Sequence, residues 1–154
     1  MSDDPRPDSV VDRFAIIDVI VGMANALDAK DWRALRSCLA PELEVDYSEF
    51  RGQPPSRLSA EAYVESRKQG LGNLKTLHLS TNHQVTLAGD EAVCVSAYRI
   101  YRLDPCGEPG KNRLDSAGQY RHRLVRTGGA WKVTHIAQTV VLLEGNRGIH
   151  GAFR

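Results

Sequence analysis

The stretch KTLHLSTN, residues 75–82, sets a single histidine inside a strand-like alternation. Leu77, Leu79 and Val85 fall on one face, and Thr76, His78, Ser80, Asn82 and Gln84 fall on the other. Imidazole is the side chain whose ordinary pKa lies near neutrality, so a histidine held in a pocket can take a proton and return it within one turnover. That suits any reaction that begins with proton abstraction beside an activating group: a base takes the proton, an electrophile stabilises the charge that develops, and an acid protonates the leaving group. A tyrosine hydroxyl or a held water can act as the oxyanion donor, and a carboxylate behind the imidazole fixes its tautomer. On a solvated strand face the same histidine would do none of this, and the strand alone leaves both readings open.

Other residues are weighed in the same way. Asn82 lies four residues from His78, hence on its face, where it either reaches substrate or satisfies a backbone group. His83 has the opposite parity and is expected to face away. Tyr98 and Tyr101 also differ in parity, so only one of them can face inward. Tyr120 is a candidate for polarity in a pocket. Tyr47 follows Asp46 on a strand, where a tyrosine is also ordinary. His122 and His135 lie on further strands and either could be at the surface. Asp28 and Asp31 both suit the polar break DAKDW, Asp31 as a helix N-cap; Trp32 is expected in the core.

Several chemistries are disfavoured. No histidine pair stands at ligand spacing with a carboxylate, so no metal is expected. GEPG and TGG lack the Lys-Ser/Thr of a phosphate loop, and there is no G-x-S-x-G elbow. Cys38, Cys94 and Cys106 are an odd set with no C-x-x-C, which speaks against a disulfide framework or a zinc knuckle and fits a reducing compartment.

The elements that must position these residues follow from periodicity. Val11, Phe14, Ile17, Ile20 and Val21 predict a first helix, capped by Asp8 or Ser9 and running through Leu27. Asp31 caps a second, shorter helix that Pro41 stops. LEVDYSEF, 43–50, reads as a strand, 52–57 as a loop, and 60–69 as a third helix starting at Ser59. Four long strands follow, over 74–88, 91–103, about 117–127 and 130–143, joined by AGDE, a long loop and TGGA. Helices followed by antiparallel strands make an α+β order. A sheet this long curls, and helices on its concave side leave a cone-shaped cavity.

The chain has 154 residues, 42% apolar and 25% charged, with net charge +1. This suits one domain, expected over 10–143, with a tail at 1–9 and a tail or pocket lid at 144–154, where Ile149 and Phe153 could cover the cavity. The near-neutral balance favours neither nucleic acid nor an anionic membrane as partner. No run reaches the ~20 apolar residues of a membrane span. A soluble, cytoplasmic protein acting on a small molecule is the expectation.

The runs LDAKDWRALRSCLAPELEVDYSEF (27–50), KQGLGNLKTLH (68–78) and GAWKV (129–133) resemble the SnoaL-like branch of the nuclear-transport-factor-2-like superfamily, and within it the scytalone dehydratases. The fold pattern spans most of 10–143; the dehydratase-like match is concentrated in 27–78. The resemblance implies an α+β cone and a cofactor-free hydro-lyase, commonly a homo-oligomer (dimer or trimer). It implies that Asp28 orients His78 as base and then acid, that Tyr47 helps polarise a carbonyl through water, and that Phe50 walls the pocket.

The departures matter as much. Leu27 stands where the family has a second carbonyl-polarising tyrosine. SAYRIYR offers no second pocket histidine, and Tyr120 replaces an asparagine. The acid–base pair with a changed binding set points to related chemistry on another small cyclic or polyketide-like hydroxy ketone. Isomerisation, cyclisation and dehydrohalogenation start from the same proton abstraction. A non-catalytic binding module is the alternative of another class, and it expects Asp28 out of reach of His78.

Overall fold

The computed structural model describes residues 7–153. Helix α1 (Pro7–Ala29) and helix α2 (Trp32–Ser37) lead into strand β1 (Leu39–Asp46). A one-turn helix α3 (Ser48–Arg51), an edge strand β2 (Ser56–Ser59) and helix α4 (Ala60–Leu71) follow. Four long strands complete the sheet: β3 (Lys75–Ala88), β4 (Glu91–Leu103), β5 (Arg113–Thr127) and β6 (Ala130–Gly145). The strand order is β2-β1-β6-β5-β4-β3, antiparallel except where β1 lies parallel to β6. The expected α+β cone is the observed architecture, a curved six-stranded sheet with helices against it.

The hairpins obey their turn chemistry. Gly128 and Gly129 both take positive φ, 60° and 79°, as a two-residue turn between β5 and β6 demands. Helix α1 buries Ile16, Ile20, Met23 and Leu27, at spacings of four, three and four. Its expected stripe was drawn too early: Val11 and Phe14 are exposed. The helix starts at Pro7, a residue whose fixed φ suits a first turn, so it begins inside the stretch expected as a tail. Residues 1–6 of that stretch lie outside the described residues. At the base of the helix Asp12 accepts from both Arg126 and the Trp131 indole, which clamps α1 to the β5–β6 hairpin.

Several boundaries differ from expectation; β5, for one, starts at Arg113, inside the stretch expected as a loop. Pro41 lies within β1, not at a helix end, at the stretch where β1 loses register with β6. β1 ends at Asp46, and the next residues turn into α3, closed by Gly52 at φ 73°. Part of the expected loop 52–57 forms β2, which pairs Glu42–Val45 with Ser56–Ser59. The C-terminal residues form two 3-10 turns, Arg147–Ile149 and Gly151–Phe153, with Ile149 and His150 buried. Gly151 approaches Gly70 on α4 so closely that a Cβ there would lie 2.9 Å from the Gly70 Cα.

Candidate active site

Asp28 is held by the way α1 ends. Lys30 takes a left-handed φ of 57°, the Lys30 N–H donates to Leu27 O at 3.3 Å, and the Asp31 N–H donates to Ala26 O at 2.9 Å. This is a Schellman closure, built here on lysine instead of glycine. It leaves Asp28 in the last helical turn facing β3. Asp31 then caps α2, accepting from the Ala34 N–H at 2.9 Å.

Three groups of β3 close on the Asp28 carboxylate. His78 Nδ1 lies 2.6 Å from Oδ1, the His78 backbone N–H donates to Oδ2 at 2.8 Å, and Thr76 Oγ1 donates to Oδ1 at 2.9 Å. Lys30 Nζ in turn donates to Thr76 Oγ1 at 3.2 Å. An ionised carboxylate accepts from Nδ1–H, which leaves the lone pair on Nε2. Burial lowers the His78 pKa below the ordinary value, against the raising effect of Asp28; Arg102 and Lys30 lower it further. Burial alone would raise the Asp28 pKa, but the hydrogen bonds from His78 and Thr76 and the His78 charge bring it below the usual carboxylate range. At neutral pH the pair therefore rests as a carboxylate beside a neutral imidazole.

His78 faces a cavity of about 700 Å³, counted out to its open mouth. Its apolar walls include Ile20, Met23, Leu27, Ile100 and Ile136. The polar lining is Tyr47, Tyr63, Arg67, Ser80, Tyr98, Arg102, Tyr120, His122, Gln138 and His150. The polar face of β3 thus looks inward, while Leu77 and Leu79 are exposed on the outer face. Tyr47, Phe50 and Tyr120 all line the cavity. Tyr47 Oη lies 2.8 Å from Tyr63 Oη. Burial raises the Tyr63 and Tyr120 pKa values well above the usual phenol, so both stay protonated. Phe50 packs against the His150 ring edge-on at 5.3 Å and against Phe153 at 5.1 Å, so the C-terminal turns close one side of the cavity.

Asn82 is a correction. It has a φ of 54°, is exposed, and accepts from Thr81 Oγ1 at 2.8 Å. The β3–β4 register slips between Thr81 and Gln84, and this bulge inverts strand parity beyond it. His83, expected to face away, instead meets Ser80 Oγ at 2.8 Å, and Val85 packs against the core. Of the two β4 tyrosines, Tyr98 faces in and Tyr101 is exposed.

Six polar lining residues, Gln138 on β6 among them, were not foreseen as pocket groups. His122 stands two residues beyond Tyr120, and that spacing was the signal that both share a face. Burial pushes its pKa down to about 3, and its Nδ1 has no hydrogen-bond partner among the described residues. Tyr63, Arg67 and His150 arrive from α4 and the C-terminal turns. Arg102 shares the inward face of β4 with Tyr98 and Ile100. Among the described residues no three His, Cys, Asp or Glu side chains gather as a metal site. No helix among them is long and apolar enough to cross a membrane.

The model of the SnoaL-like domain matches residues 8–137. The chain belongs to the SnoaL-like family. It is 44% identical over 59 residues to a scytalone dehydratase of Colletotrichum orbiculare, a match that spans 36% of this chain and only 31% of that protein. Over 147 residues it is 27% identical to a dehydratase of Aspergillus candidus, covering 88% of this chain and 86% of the relative. Among solved structures, the Kfla4162 protein of Kribbella flavida superposes with a TM-score of 0.85 at 26% identity, over 89% of this chain and 95% of that one. A hexachlorocyclohexane dehydrochlorinase superposes at 0.76 with 18% identity, over 93% and 94% of the two chains, which speaks for the fold. This SnoaL-like chain therefore stands beside dehydratases in sequence and carries the cone of the wider nuclear-transport-factor-2-like superfamily.

Proposed function

We propose that the chain is a cofactor-independent lyase that removes water from a small cyclic or polyketide-like hydroxy ketone. The observation that carries this reading is the 2.6 Å contact between Asp28 and His78 at the wall of a cavity with apolar and polar sides and an open mouth. His78 Nε2 takes the proton beside the substrate carbonyl, and the electron pair moves to the carbonyl oxygen. The Tyr47–Tyr63 hydroxyl pair donates to that oxygen, directly or through a held water. The enolate then re-forms the carbonyl as the C–O bond breaks, and the imidazolium returns its proton to the leaving hydroxyl, releasing water. Asp28 holds the Nδ1–H tautomer and stabilises the imidazolium between the two steps.

The similarity to scytalone dehydratases and related dehydratases supports water as the leaving group. Dehydrohalogenation, the chemistry named for one structural neighbour, would use the same base and is the second reading. The test is incubation with a panel of cyclic hydroxy ketones and chlorinated analogues, read by mass spectrometry. Loss of 18 mass units in a His78-dependent manner supports the reading. Loss of hydrogen chloride with no dehydration would replace it with the second. A binding module would turn over nothing, and its expectation that Asp28 lies out of reach of His78 finds no support in the geometry.

A second copy of this chain is the proposed partner. Leu77 and its cross-strand neighbour Tyr101 are exposed on the outer sheet face beside Leu79, which supports a homo-oligomer. Cys38, Cys94 and Cys106 are all free thiols, which supports a reducing compartment such as the cytoplasm.

A further inference from the structure

Arg67 on α4 and Arg102 on β4 both line the cavity. Both are buried, with 8% and 4% of their surfaces exposed. Arginine is seldom buried this far without a counter-ion, because an isolated buried charge costs several kcal/mol. Among the described residues neither has a carboxylate within ion-pair distance. The nearby Asp115 is engaged by Arg113 at 2.6 Å and by Arg99 at 3.8 Å. Arg102 donates from Nη1 to Ser116 Oγ at 3.0 Å, and its Nε is buried with no acceptor. Arg67 has only a long contact from Nε to Ser66 Oγ, 3.4 Å. Aromatic faces partly shelter the two cations: the Arg102 guanidinium lies 5.1 Å from the Phe50 ring centre and that of Arg67 5.1 Å from Tyr47. Burial lowers the Arg102 pKa to about 10, which leaves it charged at neutral pH. Among the described residues the cavity therefore holds two cations that no carboxylate pairs with directly, Asp115 acting on Arg102 only from a distance.

The geometry points to a substrate that carries a carboxylate, held between Arg67 and Arg102 while its apolar ring lies against the isoleucine and leucine walls. A planar carboxylate matches the guanidinium fork, and in a low-dielectric site the charge-assisted bonds replace the missing counter-ions. The inference rests on the cavity being the substrate site and refines the proposed function to a hydroxy-keto acid. It also gives the cations a kinetic consequence, since an anionic substrate is drawn toward a positive cavity.

Benzoate and benzamide test this, because they share size and shape and differ in charge. Titration calorimetry at fixed ionic strength measures each against the wild-type chain, His78→Ala, Arg67→Met, Arg102→Met and Arg102→Lys. The expected result is benzoate binding at least about tenfold tighter than benzamide in wild type and in His78→Ala. The preference should collapse toward unity in Arg67→Met and Arg102→Met and be partly kept in Arg102→Lys. If Arg102→Met does not fold, Arg67→Met and Arg102→Lys still decide. Equal affinities, no saturable benzoate binding at millimolar concentration, or a preference untouched by either arginine would overturn the inference. Its failure is separable from that of the lyase reading: His78-dependent dehydration of neutral hydroxy ketones with no benzoate preference sinks the carboxylate alone. Benzoate preference with no His78-dependent turnover sinks the lyase alone.

Discussion

The Asp28–His78 end of the cavity lining and the adjoining Arg67–Arg102 end, which meet where Arg102 pairs with Thr76, are built on opposite principles. At the Asp28–His78 end the polar groups of the pair find partners inside the protein: the carboxylate accepts three hydrogen bonds, and the imidazole spends Nδ1 on Asp28. At the Arg67–Arg102 end, cations sit among aromatic rings with donors unused. The first arrangement is complete before anything binds, so its geometry needs no reorganisation in the transition state. The second is electrically unfinished and is completed by what enters. A site of this kind separates its tasks: reaction geometry is set by the fold, and substrate choice by an unmet charge. The two ends should therefore fail differently when mutated.

The largest effect is expected at the complete end. His78→Ala should lower turnover by roughly 10³–10⁴-fold, the upper part of what positioned acid–base groups supply, with little change in ligand affinity. Steady-state kinetics on a turned-over hydroxy ketone measures this. A loss of efficiency carried entirely by a raised KM would mean that His78 only binds. Asp28→Asn should cost about 10²–10³-fold, because the amide neither fixes the tautomer nor stabilises the imidazolium. It should also move the acidic limb of the rate profile. Asp28 raises the His78 pKa against desolvation, so its neutralisation lowers that pKa and shifts the limb to lower pH.

Tyr47→Phe, beside Arg67, should have a smaller effect of about 10–10²-fold. A single oxyanion donor is removed while the Tyr63 hydroxyl remains. If kcat is unchanged, the carbonyl is polarised elsewhere, and Arg102 becomes the first residue to examine.

The contrast also marks what a sequence can disclose. The cone was legible because its signals are local: helical spacing in α1, alternation in the long strands, glycines at the turns. Asp28 and His78 could be singled out because they stand in runs, LDAKDW and KTLH, that resemble the dehydratases, and the contact between them is what the structure adds. Asn82 was not, since one extra residue in β3 reverses the parity on which its assignment rested, and nothing in the polar run STNHQ announces a bulge. The stripe of α1 was misplaced because Val11 and Phe14 fit the helical period as well as Ile16 and Ile20 do. Arg67 and Arg102 were overlooked for a different reason. Their significance lies in a missing partner, and a missing partner is a property of three-dimensional neighbours. His122 was within reach, because it shares the parity of Tyr120.

His122 gives a prediction on stability. Its folded pKa of about 3 lies below the ordinary 6.5, so the unfolded chain binds the proton that the native chain refuses. Stability contributed this way is present above about pH 6.5 and is lost as pH falls toward 3, by about 1.4 kcal/mol per unit. Urea unfolding at pH 7 and pH 5 should therefore differ by about 2 kcal/mol on account of His122 alone. His122→Gln should flatten that slope. An unchanged slope would mean that His122 is reached by water in solution.

The smallest effect tests how finely the complete end is tuned. Lys30 occupies a left-handed backbone position that glycine would adopt with less strain, and its amine sits on Thr76 beside the pair. Lys30→Gly relieves about 1 kcal/mol of backbone strain and gives some of it back through the freer unfolded chain, so the net stability change should be a few tenths of a kcal/mol. The rate should stay near that of wild type, because Asp28 keeps its bonds from His78. The pH limb, however, should move. The Lys30 charge lowers the His78 pKa, so removing it raises that pKa and carries the limb to higher pH, opposite to Asp28→Asn. Lys30→Met at the same position keeps the left-handed strain but removes the charge. It should reproduce the pH shift without any backbone gain, so the two variants separate electrostatics from helix closure. Equal limbs in wild type and both variants would show that the charge of Lys30 is screened from His78 by solvent.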